Sequence, residues 1–365
     1  MDRYNFVRKP LTIKNLVIPN RIVFPPFVTG YSNPDGTISE RQIAFYKSIS
    51  KGGAGMIIVG ATAVAPEGGG WMGNTAIYSD DFIPGLKRLF KETRTENNVV
   101  GIQLYHCGIL TNSKRTGGLP LVAPSPLEYP DKSAKAHELT LEEIKNLETA
   151  FAEAAQRALS AGADFIEIHA AHGYLIDQFL SPLTNNRSDA YGGSLENRAR
   201  FALNIMEKIR QSVGEDAVVG VRLGADEFLP GGYSLSDSKI FCKWFADKGM
   251  DFIHVSARMN EKGVTEMFSG TFVKMAAAIK KEVKVPVICV GGIKNLDRAE
   301  EILSEGSADL VAIGRALIAD PDLVKKSFAG NKGDIVDCVD CFGCFTTMSD
   351  DNGNGMECTQ NADLP

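Results

Sequence analysis

Along this chain, short and almost wholly apolar runs alternate with longer stretches in which apolar residues recur every three or four positions. Eight such runs stand out: RIVFPPF from Arg21, GMIIVGATAV from Gly55, VVGIQLYH from Val99, FIEIHAAHGY from Phe165, VVGVRLG from Val218, FIHVSA from Phe252, PVICVGG from Pro286 and LVAIGRAL from Leu310. A strand covered on both faces of a parallel sheet reads as such a continuous run, because neither face can be left polar. The clearest helical pattern is HELTLEEIKNLETAFAEAAQRALSAGA, where Thr140 and Glu143 form a capping box and Gly162 stops the helix. Eight strand and helix units in one direction predict an α/β fold, a (β/α)8 TIM barrel, with a doubly wound open sheet as the alternative. Residues 1–330 are assigned to the barrel and 331–365 to a cysteine-rich extension with no amphipathic period, a folded-back loop that needs a staple.

Composition narrows the partners. Of 365 residues, 44% are hydrophobic and 23% charged, so a large core can form. The net charge of -6 argues against nucleic acid or an anionic membrane as the main partner and leaves a small molecule. The N-terminus has no apolar signal region and no run is long enough to cross a bilayer, so a cytoplasmic protein is expected. A homo-oligomer is expected as well. Cys107, Cys242 and Cys289 lie in apolar segments and read as small buried hydrophobes. The other four, Cys338, Cys341, Cys344 and Cys358, fall within 21 positions. In a reducing compartment such a cluster points to metal before disulfide, and spacing alone leaves zinc and an iron-sulfur cluster level.

Barrel chemistry sits where the strands end. There lie Pro25 to Thr29, Ala61, Thr62, Gln103 to His106, His169 to Tyr174, Arg222, Gly291, Gly292, Gly314 and Arg315. His169, His172 and Tyr174 can donate hydrogen bonds to a carbonyl oxygen that becomes negative, each worth roughly 3 kcal/mol in a dry site. Glycines at the ends of the seventh and eighth strands allow close approach of a phosphate, with Arg315 supplying charge. Arg222 inside an apolar run demands an anionic partner, a carboxylate or a ligand such as a reduced flavin. Gln103 suits the pyrimidine edge of such a ring, or a core hydrogen bond. Arg187, Asp189, Arg198 and Arg200, with Ser194 as a helix cap, read as loop architecture held by ion pairs.

In this order, NRIVFPPF, GATAVAPEG, GIQLYH, HAAHGYLIDQFLSPLTNNRSDAYGGSLENRARF, VRLGADEF, VGGI and GRALIADP resemble the Old Yellow Enzyme family of FMN-dependent barrel oxidoreductases, over residues 6 to 330. The tail resembles the iron-sulfur branch of that family, the 2,4-dienoyl-CoA reductases and trimethylamine dehydrogenases. The resemblance implies FMN beside Pro25, Pro26, Phe27, Val28, Ala61, Gln103, His169 and Arg222, with its phosphate at Gly291, Gly292, Gly314 and Arg315. It implies that His169 and His172 polarise a carbonyl, that Tyr174 protonates, and that Cys338, Cys341, Cys344 and Cys358 hold a 4Fe-4S cluster. Val28 stands where the amine branch attaches FMN through cysteine, so the flavin is expected to be non-covalent. The implied activity is reduction of an enone or enoate C=C bond; the alternatives are amine oxidation with electrons leaving through the cluster, or a zinc-stapled docking protein. Nothing in the sequence supplies the Rossmann fingerprint of a pyridine-nucleotide domain. Electrons therefore come from NAD(P)H directly, from a separate flavoprotein or ferredoxin, or the sequence is a fragment. The loops Ile109 to Tyr129 and Glu227 to Tyr233 are expected to shape the substrate pocket.

Overall fold

The computed structural model describes residues 3–127, 135–348 and 353–365, so the end of the pocket loop at 128–129 lies outside the described residues. An antiparallel hairpin, β1 (Leu11–Ile13) and β2 (Leu16–Ile18), comes first. The barrel strands are β3 (Ile22–Phe24), β4 (Met56–Ala63), β6 (Val99–Tyr105), β9 (Phe165–Ala170), β10 (Val218–Gly224), β11 (Phe252–Ser256), β12 (Val287–Cys289) and β13 (Leu310–Ala312). They pair in parallel around a ring that closes between β3 and β4. β5 (Thr75–Ala76) extends β4, and β7 (Val122–Ala123) pairs with β8 (His137–Glu138) in a loop. The structure is the closed barrel, and the open sheet is excluded.

Side chains sort by strand period. Val23, Met56, Ile58, Val99, Phe165, Val218, Phe252, Ile288 and Leu310 form one cluster inside the ring, which Ile13 and Ile18 of the hairpin seal from below. Their neighbours, such as Ile57, Val100, Ile166, Val219 and Ile253, pack outward under the helices. Large and small residues interleave inside: a Cβ on Gly101 would lie 2.5 Å from the Phe165 ring, and one on Gly220 2.3 Å from Phe252. One layer higher, Gln103 is in register with Glu167, and Arg222 with both His169 and His254.

The helix Leu141–Ser160 starts at the capping box of Thr140 and Glu143. The helix Leu195–Val213 is capped by Ser194. Arg187 pairs with Asp189 at 2.6 Å, as expected. Arg198 and Arg200 instead donate to the carbonyls of Leu180, Gly193 and Ala190, because this tight loop has backbone acceptors and no strand to satisfy them. The tail folds back over the barrel: Met356 N donates to Thr29 O at 2.7 Å, and Asn361 to Ile318 O at 2.8 Å. Gly30 and Gly355 make that approach possible, since a Cβ on Gly30 would lie 2.9 Å from Gly355 Cα. Among the described residues no helix is long and apolar enough to cross a membrane.

Candidate active site

β9 carries His169 to its carboxyl end, and the chain then turns through His172, which adopts the left-handed region at φ 63. That turn brings the His172 ring edge-on to His169, with centroids 5.0 Å apart and His172 Nδ1 3.3 Å from His169 Nε2. Tyr174 stands against the same imidazole at 4.9 Å and against Tyr105 at 5.1 Å. Burial, reinforced by the Arg222 charge, holds both imidazoles well below the usual histidine range, so each is neutral. Burial pushes the Tyr174 phenol up to about 12, which keeps its proton in place. Trp71 Nε1 donates to the phenol oxygen at 3.2 Å, leaving the O–H free to point elsewhere.

Beneath these three groups lies a polar layer. Gln103 Nε2 donates to Glu167 Oε1 at 2.7 Å, and the other carboxylate oxygen bonds His254 Nδ1 at 2.9 Å. Glu167 and His254 are fully buried. The Arg222 guanidinium is lowered to about 10 by burial, countered by the Glu167 charge, and so stays cationic. Arg222 Nη2 reaches Ser256 Oγ at 3.4 Å, while its Nε has no partner among the described residues. Glu167, His254, Ser256 and Trp71 were not singled out from sequence. A carboxylate inside FIEIHAA is as anomalous as Arg222 inside VVGVRLG and was the available signal.

Pro25 and Pro26 are buried after β3, and Phe27 and Val28 are half-buried beside them. Val28 packs with Ala61, Ala63, Tyr105, Cys107 and Tyr174, an apolar wall facing the imidazoles. Gly291 and Gly292 follow β12 at φ 119 and 66, conformations that favour glycine. Packing needs them too: a Cβ on Gly292 would lie 2.8 Å from the Met267 carbonyl. Gly314 abuts Pro25 and opens the short helix Arg315–Ala319. The Arg315 guanidinium is engaged by the tail, 2.9 Å from Asp340 and stacked 4.5 Å from the Phe342 ring.

Of the tail cysteines, Cys344 is buried, Cys338 and Cys358 are half-buried, and Cys341 is exposed with its sulfur 3.3 Å from Thr359 Oγ1. Burial raises the Cys344 thiol to about 11, opposed by the Arg315 charge and reinforced by Cys358 and Cys338. Among the described residues no group of three or more metal-binding side chains is assembled, so this arrangement does not present a four-thiolate cage. Cys107, Cys242 and Cys289 are buried hydrophobes, as expected.

A profile of the NADH:flavin oxidoreductase / NADH oxidase family matches residues 7–332. The chain belongs to that family. It is 41% identical over 329 residues to an NADH oxidase of Thermoanaerobacter brockii, covering 88% of this chain and 50% of that protein. It is 40% identical over 316 residues to an NADPH dehydrogenase of Clostridium acetobutylicum, covering 87% of this chain and 92% of the relative. The structure of a 2-naphthoyl-CoA reductase complex superposes with a TM-score of 0.94 at 28% identity, over 99% of this chain and 58% of that one. The chain therefore spans about half the length of some relatives and nearly all of others.

Membership of that family makes the chain a flavin oxidoreductase, with FMN as the flavin. The residues fit FMN. Arg222 Nε is a buried donor without a partner among the described residues, and the same end of the barrel carries a neutral amide, Gln103, and an apolar wall at Ala61 and Val28. A flat heteroaromatic ring that carries negative charge at one edge satisfies that combination.

Proposed function

We propose that this chain reduces the C=C bond of an α,β-unsaturated carbonyl compound. The observation that carries the reading is the convergence of two neutral imidazoles, 3.3 Å apart, beside a phenol that keeps its proton. FMN, when bound, supplies the hydride chemistry, drawing on NAD(P)H. Pro25, Pro26, Phe27, Val28 and Ala61 would line its ring, Gln103 and Arg222 its pyrimidine edge, and Gly291, Gly292, Gly314 and Arg315 its phosphate.

The residues of the chain do the rest. His169 and His172 hold the substrate oxygen, and hydrogen bonds to it draw charge from the conjugated β-carbon, each worth roughly 3 kcal/mol if it strengthens as the oxygen becomes negative. Being neutral, the two imidazoles can donate to the oxygen without an unpaired charge having to be buried in the site. Tyr174 holds the proton for the α-carbon, with its oxygen steadied by Trp71. Val28 and Tyr105 exclude water around it.

We assign the four tail thiols to a 4Fe-4S cluster, which would supply single electrons. Support comes from the spacing, Cys338-x2-Cys341-x2-Cys344-x13-Cys358. Cys341 must then turn inward from Thr359. The electron donor on this reading is a separate flavoprotein, a ferredoxin or NAD(P)H.

The test is an anaerobic visible spectrum with FMN and iron assays, followed by panels of enones and amines. One FMN and about four irons per chain are expected, with NAD(P)H-bleached flavin recoloured by enones. Bleaching by amines with no response to enones would transfer the chain to amine oxidation, and colourless protein binding zinc alone would end the catalytic reading.

A further inference from the structure

His169 Nδ1 lies 3.3 Å from the Ala171 backbone N–H. An amide nitrogen can only donate, so this ring nitrogen is bare and the single proton of the neutral ring sits on Nε2. That proton points at His172 Nδ1, 3.3 Å away. Nδ1 must then accept, and the proton of His172 sits on Nε2, 2.9 Å from Ser256 Oγ. The directions run one way, from Ala171 through both rings to Ser256. In this state the His172 Nδ1 lone pair is taken up by His169 and its only N–H faces Ser256, so the ring cannot donate to a carbonyl oxygen.

Ser256 is the member of the chain that can reverse by rotation alone, without exchanging a proton. It is buried, and its oxygen also lies 3.4 Å from Arg222 Nη2, which can only donate. With one lone pair facing Arg222, the hydroxyl is free either to accept from His172 Nε2 or to turn its own hydrogen onto it. No other hydrogen-bond partner of Ser256 Oγ is found among the described residues.

We propose that His172 is a tautomer switch thrown by the substrate oxygen, with Ser256 as the positioning residue that permits it. When a carbonyl oxygen enters, His169 Nε2–H turns to it. The His172 proton leaves Nε2 for solvent water, another from water joins Nδ1, and the ring stays neutral. Ser256 then donates to the bare Nε2, and His172 Nδ1–H becomes the second donor to the oxygen. The inference rests on the proposed carbonyl reduction, and it makes two-point recognition a property of the occupied site alone.

Histidine-selective 15N NMR on the flavin-loaded protein reads the tautomers directly, because bare and protonated ring nitrogens resonate far apart. Without ligand, His172 should be protonated on Nε2; with 2-cyclohexenone and oxidised flavin, on Nδ1. In Ser256→Ala the enone should fail to complete the change and should bind about tenfold more weakly, the loss of one supporting hydrogen bond. Ser256→Thr, which keeps the hydroxyl, should restore both. Nδ1 protonation in the free protein, an enone that leaves His172 unchanged, or complete switching in Ser256→Ala each overturns the inference. A complete switch in protein that reduces no alkene leaves it standing and removes carbonyl reduction instead.

Discussion

Replacing Tyr174 with Phe removes one oxygen and little else. The ring contacts to His169 at 4.9 Å and Tyr105 at 5.1 Å survive the change, as does packing against Val28. The structural cost is the orphaned Trp71 Nε1–H, half-buried and formerly 3.2 Å from the phenol, about 1 kcal/mol. The chemical cost is larger: a positioned general acid contributes roughly 10²- to 10⁴-fold, or about 3–5 kcal/mol of barrier. The two costs separate in anaerobic stopped-flow measurements. Flavin reduction by NAD(P)H should stay within about twofold of wild type, whereas reoxidation by an enone should slow by at least about a hundredfold. Trp71→Phe orphans no acid and should slow the second step by less than about tenfold. Because burial holds the phenol near 12, the wild-type step should show no loss of the acid as pH rises through neutrality. Enone reoxidation in Tyr174→Phe within twofold of wild type would refute the assignment of the proton to this residue.

Asp177 is buried between the Gly173 amide and the Tyr233 hydroxyl, and burial with the nearby Glu227 charge raises it to about 7. A carboxyl raised on folding adds stability below its unfolded value that is lost as pH rises through the folded one, here about 4 kcal/mol at most. Asp177→Asn keeps both hydrogen-bonding positions, so its urea midpoint should gain on wild type between about pH 4 and pH 8; parallel profiles would count against the shift. Glu167→Gln removes the charge that offsets Arg222 and should cost about 3–5 kcal/mol of unfolding free energy, and a loss below about 1 would show that the layer is not electrostatically coupled. Cys344→Ser should strip most of the iron from protein purified without oxygen while leaving FMN content unchanged, and full iron occupancy in that variant would remove Cys344 from the cluster.

The barrel was legible because its signal is redundant: eight buried strands each spell an apolar run, and eight units in one direction favour closure, which the β3–β4 pairing decides. His169, His172 and Tyr174 were legible because loop position and chemistry coincide at the end of β9. Other features carried no such signal. The strands of the sealing hairpin are three residues each, too short for periodicity to register. Ser256 is a small hydroxyl at the end of FIHVSA, and only the position of His172 gives it meaning. Arg315 looked like a free cation at a glycine turn, and its contact with Asp340 joins segments 25 residues apart that no local pattern links.

The sealed floor explains why the layer above it can be so polar. Phe165 and Phe252 meet edge to face at 5.9 Å, and the glycines opposite them, Gly101 and Gly220, leave room for the rings but not for water. With solvent excluded from below, Glu167 must find its hydrogen bonds sideways, in Gln103 and His254, and Arg222 can complete its own only toward the open end. The same closure depresses His169 and His172 and keeps them neutral. An alanine at Gly220 would place a Cβ 2.3 Å from Phe252 and force that ring upward into the Arg222 layer. The apolar floor is thus part of the chemistry: it fixes which protons the site holds, and it leaves the mouth of the barrel as the one direction in which its unpartnered donor can be used.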